Sequence, residues 1–360
     1  ITPELQLAEQ FGMSRNSVRR VISKLVSAGL LYRRRGSGTF IVPEQHRDQV
    51  STGATLPHGK RQIVFLSLST ALSEAVFHEE NTFGPIFRSL NRVLQPSGYN
   101  LLIAHIGIDW QAPPCLLNGD VGGVIFHGEV NPDFWRQHIS VLPCVGLQYV
   151  NRDLPCDWVL QDNAQRCHEA IKYFKQHGHQ RIGFVSNEAE MFLPQERLLG
   201  YRMALQEFGL PQDPAWEVVW QRPRVNGVLL GESVMTDYTP YLQKAFATKK
   251  PPTAFLCLDN WRAYNTLVAL DKMGLQVPDD VSLIGSYNFR HVNGFVFNDK
   301  TWHFTHFNCN LEDTCAAAAS LLLEQIASGK KQARRTILVQ PDLIAGDTVK
   351  DIRRSARKTS

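Results

Sequence analysis

The chain lacks the features of membrane and secreted proteins. No apolar run approaches the ~18 to 20 residues that a membrane-spanning helix needs, and no basic segment followed by an apolar stretch opens the sequence. Its seven cysteines are odd in number, widely scattered and never arranged as CxxC, which disfavours a disulfide framework and a thiolate zinc site. We therefore expect an intracellular, cytoplasmic protein with reduced, mostly buried thiols.

Motifs of common enzyme classes are also missing. The sequence has no GxGxxG, GxxxxGK[ST] or GxSxG pattern. His303 and His306 are three residues apart in a predicted strand, so they point to opposite faces, and no further metal ligands accompany them. We predict no enzyme activity, no cofactor and no metal. An enzyme stays as an alternative, which ligand turnover by the purified protein would support.

The length exceeds that of one ordinary domain. The chain has 360 residues and 40.7 kDa, with 43% hydrophobic and 20% charged residues, which is a globular composition. Single cores tend to split beyond ~250 to 300 residues, so two or three domains are expected.

Basic charge is concentrated at the start of the chain. Residues 1–60 carry nine Lys or Arg against four acids, a local net charge of +5, while the other 300 residues have a net charge of −1. Seven basic residues and no acid lie between Arg15 and Arg35. Such a one-sided patch indicates a polyanionic partner; a membrane surface or an RNA channel would need further features.

Two helices are predicted in this basic region. Thr2 is a candidate N-cap for a helix ending near Gln10, with proline and glutamate in its first turn. After a turn at Gly12, Ser14 can cap a second helix. Its apolar residues recur at helical spacing and predict a buried stripe: Val18, Val21, Ile22, Leu25 and Val26. The opposite face carries donors for phosphates and guanine edges: Arg15, Asn16, Arg19, Arg20, Ser23 and Lys24.

A tight hairpin follows the second helix. Residues 30–35 and 39–42 alternate like two short strands that turn through Gly36, Ser37 and Gly38. Glycine lets the backbone approach a phosphate or a minor groove closely.

The segment LAEQFGMSRNSVRRVISKLVSAGLLYRRRGSGTF, Leu7 to Phe40, resembles the winged helix-turn-helix of GntR-type bacterial regulators. The resemblance implies recognition-helix contacts from Arg15, Ser17 and Arg19, with Ser14, Asn16 and Arg20 beside them, and wing contacts from Arg35, Gly36 and Gly38.

The resemblance also has departures and a competing interpretation. Leu5 stands where the family often has an arginine. The family's first helix lies upstream of this sequence, so we expect a fragment whose DNA-binding domain is incompletely packed. The competing interpretation is that the basic stripe is only a solvated helix face.

The rest of the chain predicts an α/β domain behind a linker. Residues 43–60 are polar, contain Pro and Gly, and lack apolar periodicity. Short apolar runs, such as the strand predicted at 253–258, then alternate with helical patterns, such as those at 163–177 and 234–247. This alternation favours parallel sheets covered on both faces, in two lobes with a cleft. We divide the chain into a DNA-binding domain (1–42), a linker (43–60), a two-lobe domain (61–346) and a basic tail (347–360).

Four segments, beginning VLQDNAQRC, QERLLGYRM, PTAFLCLDN and FTHFNCNLE, resemble the LacI/GalR-type regulatory domain, itself similar to periplasmic sugar-binding proteins. The resemblance implies a two-lobe, periplasmic-binding-protein-like effector domain of the α/β class. It also implies ligand-binding roles for Asp162, Arg197, Trp220, Asp259, Asn260, Tyr287 and Asn308.

Several of these residues have a structural alternative. Asp162 is as well placed to cap a helix, Arg197 to form a surface salt bridge, and Trp220 to fill a core. The family usually reads Asn then Asp where this chain has Asp259 and Asn260, and it has carboxylates where this chain has Tyr287. The effector is therefore predicted only as a sugar, a pentose or a hexose.

Together these patterns predict a ligand-responsive transcription regulator. We expect a repressor that binds operator DNA as a homodimer and is released by a small polar effector. The alternative is a solute-binding protein of a sugar transport system, which should have a secretory signal and no basic helix-turn-helix.

Overall fold

The computed structural model describes most of the chain. The described residues are 2–27, 31–34, 38–41, 61–68, 80–107, 109–128, 130–148, 150–151, 153–187, 192–221, 224–225, 228–229, 237–286, 294–308, 310–329 and 333–353. No helix among them is long and apolar enough to cross a membrane.

Strands and helices alternate along most of the described chain. The strands are β1 Leu31–Arg34, β2 Gly38–Ile41, β3 Gln62–Leu68, β4 Asn100–Ile106, β5 Val121–His127, β6 Cys144–Leu147, β7 Asp157–Gln161, β8 Ile182–Ser186, β9 Glu217–Val219, β10 Arg224–Val225, β11 Val228–Leu229, β12 Ala254–Cys257, β13 Ser282–Ser286, β14 Phe295–Phe297, β15 Lys300–Trp302, β16 Thr305–Asn308, β17 Thr336–Val339 and β18 Asp342–Ile344. The helices are α1 Glu4–Gln10, α2 Arg15–Ser27, α3 Glu80–Leu94, α4 Pro114–Leu117, α5 Pro132–Phe134, α6 Asn163–Gln176, α7 Phe192–Glu207, α8 Thr239–Phe246, α9 Asn260–Lys272 and α10 Leu311–Ser328. A π-helical turn, Trp135–Ile139, continues α5, and a 3-10 turn, Pro214–Trp216, precedes β9.

The N-terminal elements are two helices and a hairpin, as predicted. β1 and β2 pair antiparallel, with Tyr32 opposite Phe40. A small apolar cluster joins these elements, consisting of Ala8, Val18, Ile22 and Leu31 with the partly buried Leu7 and Val26.

Two details of the predicted N-terminal helices are wrong. Helix α1 starts at Glu4, so its N-cap position is occupied by Pro3 and not by the predicted Thr2. Val21 and Leu25 are 47% and 36% exposed, so the buried stripe of α2 is narrower than its spacing predicts. In the described part of the chain, α1 and β1 contact α2 on the side that carries Val18 and Ile22, and not on the side of Val21 and Leu25.

Lobe 1 is built on a six-stranded parallel sheet. Its strand order is β17-β7-β6-β5-β3-β4. Helices α3 and α10 pack on one face, and the α5 region packs on the other. Both faces are covered, which explains why β3 and β5 are nearly continuous apolar runs.

Lobe 2 repeats this arrangement with a second sheet. Its order is β18-β16-β13-β12-β8-β9, parallel except for β18, which runs antiparallel to β16. Helices α6 and α7 pack on one face, and α8 and α9 pack on the other. The fold is thus the predicted two-lobe α/β architecture.

The chain passes between the lobes three times. The passages run from β7 to α6, from β16 to α10 and from β17 to β18. Each one leaves the carboxyl end of a parallel strand, so the carboxyl edges of both sheets meet at the junction. Open parallel sheets bind ligands at this edge, and the cleft between the lobes is therefore the candidate ligand site.

Candidate DNA-binding surface and ligand cleft

Helix α2 begins with a hydroxyl cap. Ser14 Oγ accepts a hydrogen bond from the Ser17 backbone N–H at 3.1 Å, and the two hydroxyl oxygens lie 2.9 Å apart. Ser14 thus has the predicted capping role. Arg15, Asn16 and Arg20 are exposed on the same helix, so this part of the surface is open to a polyanion.

Arg19 is held by an acid of the neighbouring helix. Its Nε lies 3.1 Å from Glu4 Oε2, and both side chains keep some exposure. A surface pair of this kind contributes little stability, so a duplex phosphate can compete with Glu4 for the guanidinium.

The described part of the wing includes one of the three predicted residues. Gly38 starts β2 opposite Arg34 with φ of 110°, a left-handed conformation that favours glycine. Arg35 and Gly36 lie outside the described residues.

Asp162 lies at the first passage between the lobes. One carboxylate oxygen accepts from the Gln165 N–H at 2.9 Å and caps α6, and the other accepts from Gln340 Nε2 at 3.2 Å. Asp162 therefore caps a helix in this structure, and its contact with a ligand stays a prediction.

Asn308 lies at the second passage. Its Oδ1 accepts from the Asn310 N–H at 3.3 Å. The Asn310 side chain in turn donates to the Gln340 carbonyl at 2.8 Å and to Asp342 Oδ2 at 3.0 Å. Asp162 and Asn308 thus belong to the polar contacts that connect the three passages.

Arg197, on α7, is buried, and this excludes the surface salt bridge as its role. Its Nε donates to Asn163 Oδ1 at 3.0 Å, and its Nη1 donates to the Leu258 carbonyl just beyond β12. The guanidinium therefore lies at the carboxyl edge of the lobe 2 sheet, where a fork of donors suits vicinal hydroxyls.

Asp259 caps α9 and leads into a buried polar chain. Its Oδ1 accepts from the Arg262 N–H at 2.8 Å, and its Oδ2 pairs with Arg262 Nη1 at 2.7 Å. Arg262 Nε donates to Asn187 Oδ1 at 2.9 Å, and Asn187 Nδ2 donates to the Tyr238 hydroxyl at 3.3 Å. Asn187 and Arg262 are not among the site residues predicted from the sequence.

Asn260 is turned toward the neighbouring strand. A Cβ at position 285 would collide with Asn260 Oδ1, so Gly285 provides the space for this side chain. Asn260 is buried, and its predicted contact with a ligand would require the side chain to turn.

Trp220 follows β9 and belongs to an aromatic group. Its ring stacks on Tyr241, with centroids 4.2 Å apart and planes 8° apart, and meets Tyr238 edge-on at 4.6 Å. It packs against the core, which is the structural alternative, and stays partly exposed; its contact with a ligand stays a prediction. Tyr287 lies outside the described residues.

Lobe 1 contributes a histidine and an amide that the sequence analysis missed. His127 lies at the end of β5, and Gln148 lies just beyond β6. The His127 Nε2 and Gln148 Oε1 atoms are 3.0 Å apart. Burial lowers the pKa of His127, which favours the neutral ring. Gln148 has φ of 63°, a conformation rare outside glycine. The sequence signal that could have identified His127 and Gln148 was the presence of polar residues at the ends of two consecutive strands.

The predicted thiols are confirmed where the structure describes them. Cys144, Cys156, Cys167, Cys257 and Cys315 are free and buried, and Cys115 is partly buried. Burial raises the pKa of Cys167 to about 12, which keeps it an inert thiol. Cys309 lies outside the described residues. In the described part of the chain, no group of three or more His, Cys, Asp or Glu could hold a metal ion.

Two family models match the chain. Residues 3–41 match bacterial regulatory proteins of the gntR family, and residues 171–349 match the periplasmic binding protein-like domain. Both resemblances seen in the sequence are thereby confirmed.

Curated relatives and solved structures agree with these matches. The chain is 24% identical to the arabinose metabolism transcriptional repressor of Geobacillus stearothermophilus, over 98% of this chain and 92% of that protein. It is 26% identical to the ribose operon repressor of Haemophilus influenzae, over 56% of this chain and 59% of that protein. A LacI-family regulatory protein from Chloroflexus aggregans has the same fold, with a TM-score of 0.62, 19% identity, and coverage of 80% of this chain and 98% of that structure.

The fold and the matches define a regulator with a two-lobe ligand-binding domain. The chain is a transcription regulator that joins a gntR-type helix-turn-helix to a periplasmic binding protein-like domain, and not a transport binding protein.

Proposed function

We propose that this regulator is a sugar-responsive repressor acting in the cytoplasm, where its operator DNA lies. The buried polar group at the carboxyl edge of lobe 2 carries the proposal. Hydrogen bonds to neighbouring strand ends and helix starts hold this group in place, and its members are Arg197, Asp259, Arg262 and Asn187. A fixed set of donors and acceptors facing a second lobe suits a small molecule with several hydroxyl groups.

Two relatives, named for arabinose metabolism and for a ribose operon, support a sugar as the effector class. Other relatives are repressors named PurR, so this support comes from part of the set. Within the cleft, Arg197 would grip vicinal hydroxyls, and Trp220 would face the C–H side of the ring. Further contacts are proposed for Asp162, Asp259, Asn260 and Asn308, and for Tyr287 from its sequence position alone. The assignment of each residue is part of the proposal.

DNA binding is proposed for the exposed face of α2 and the wing. Arg15, Asn16, Ser17, Arg19 and Arg20 would contact one major groove, and two copies in a homodimer would read a two-fold operator. A sugar that binds the closed arrangement of the lobes more tightly than the open one would change the spacing of the two DNA-binding domains in the dimer. Such coupling is typically ~1 to 3 kcal/mol.

One experiment tests both halves of the proposal on the full chain. Duplexes selected from a random library are titrated at several salt concentrations, and the tightest duplex is titrated again with L-arabinose, D-ribose, D-glucose and D-gluconate. Thermal unfolding is followed with the same compounds, because saturation at 100 times Kd stabilises by roughly 2.7 kcal/mol.

We expect salt-sensitive duplex binding that one of the neutral sugars weakens, with a matching rise in the unfolding temperature. Arg197→Ala should abolish the sugar effect and keep the duplex affinity. Binding that salt does not weaken would contradict the DNA-binding half, and turnover of a sugar would favour the enzyme alternative.

A further inference from the structure

A buried arginine connects the two lobes at the base of the cleft. Arg166 lies on the first turns of α6, just after the first passage, and is 1% exposed. Its Nη2 donates to Gln161 Oε1 at 2.5 Å, and its Nη1 donates to Ser286 Oγ at 2.7 Å. Gln161 ends β7 in lobe 1, whereas Ser286 ends β13 in lobe 2.

The surroundings of this guanidinium are also shared between the passages. Its Cζ lies 5.9 Å from the centroid of Phe307, which belongs to β16 and pairs with Ser286. Gln161 pairs with Val339 of β17. The Arg166 side chain therefore bonds to β7 and lies near β16, and its acceptor Gln161 pairs with β17, the third strand from which the chain leaves one lobe for the other.

We propose that Arg166 is a positioning residue that fixes how the two halves of the cleft face each other. The inference rests on the proposed function only in taking the cleft as the sensing site. An arginine suits this position because it keeps its charge when buried and its planar fork can donate in two directions at once. A lysine carries its three N–H donors on one nitrogen and lacks the planar fork that holds two separate acceptors in fixed geometry.

The polar contacts on Asn310 and Gln340 join the same passages by separate bonds. They include partly exposed side chains, so water competes with them, whereas Gln161 and Ser286 are buried. Arg166 is therefore expected to be the stiffer of the two connections.

Hydrogen exchange of the full chain without any ligand tests the proposal. In Arg166→Lys, amides at the passages, near residues 161–162, 310 and 339–342, should exchange roughly tenfold faster, because hydrogen bonds to a charged group are lost. Amides in β3 and β8, inside the two sheets, should keep their rates. Small-angle scattering should show a broader distribution of interatomic distances.

Arg181→Lys is the matched control. Arg181 is likewise a hydrogen-bonded arginine, donating from Nε to the Pro251 carbonyl at 2.7 Å, but both of these residues belong to lobe 2. This variant should leave the passages unchanged. Ser286→Ala should reproduce part of the Arg166→Lys effect and add little when combined with it.

Two outcomes would overturn the proposal. One is unchanged exchange at the passages in Arg166→Lys; the other is acceleration spread evenly through lobe 2, which indicates ordinary core damage. A chain that binds neither sugar nor DNA would contradict the proposed function and leave this comparison intact, because neither measurement needs a ligand.

Discussion

At the scale of single residues, several polar side chains that were predicted to contact a ligand or DNA also have a hydrogen-bond partner within the protein. Asp162, Asp259 and Ser14 each cap a helix, and each was also predicted to contact a ligand or DNA. A cap and a contact require the same residue types at the same places, since helix N-termini border both surfaces. The sequence therefore placed these residues at helix starts, and their contacts with a ligand or DNA stay predictions.

His179 gives a test of burial at this scale. It is 1% exposed, with Nδ1 3.0 Å from the Thr253 hydroxyl and Nε2 3.1 Å from the Lys350 carbonyl. Burial lowers the pKa of His179 from 6.5 to about 4. The unfolded chain therefore binds a proton between pH 6.5 and 4 that the folded chain does not, and the free energy of unfolding should fall as pH falls through this window.

The expected loss across the window is roughly 3 kcal/mol. Urea unfolding of the full chain at pH 7, 5.5 and 4.5 measures it, and His179→Gln should flatten the pH dependence by about that amount. A variant with the same slope as the parent would show that other groups cause the loss.

At the scale of elements, long buried strands and helices were predictable and short connecting ones were not. The predicted helix 163–177 is α6 within one residue, and the predicted strand 253–258 contains β12. The predicted helix 234–247 is described from Thr239 only.

Several short strands were missed. β7 is buried along its whole length, but its sequence, DWVLQ, begins and ends in polar residues, and the β14–β15 hairpin has only three residues a side. Their stability comes from pairing with distant strands or packing on α9, which a local window cannot see.

Helix α2 gives the test at this scale. Because Arg19 is held by Glu4, its replacement also releases an acid, and the exposed Arg20 is the more direct choice. Arg20→Ala should weaken duplex binding and lower the magnitude of the salt slope by about one. Fluorescence anisotropy over a salt series measures both. Arg136→Ala, an exposed arginine of lobe 1, is the control, and an equal loss in both variants would exclude a specific role for α2.

At the scale of the whole molecule, the two-lobe architecture followed from the alternation of strands and helices, while the neighbours of each strand did not. His127 and Gln148 are 21 residues apart and meet because β5 and β6 are neighbours in the lobe 1 sheet. Sequence patterns report which residues end strands and not which strands are neighbours.

Closure of the lobes is the expected response of the molecule as a whole. The sugar that gives the largest thermal shift should reduce the radius of gyration of the full chain in small-angle scattering, because closure brings the two sheets nearer. The same sugar should leave Arg197→Ala unchanged. An unaltered radius in the parent protein at saturation would rule out closure as the signal.

The three passages between the lobes also constrain how the protein is made. Lobe 1 receives its helix α10 and its edge strand β17 only after all of β16 has been synthesised, and α10 supplies much of one face of its core. On the ribosome, the first lobe must therefore wait, with apolar surface uncovered, for the end of the chain. Premature termination after β16 would leave both lobes incomplete, and the regulator should depend on chaperones more than its size alone suggests.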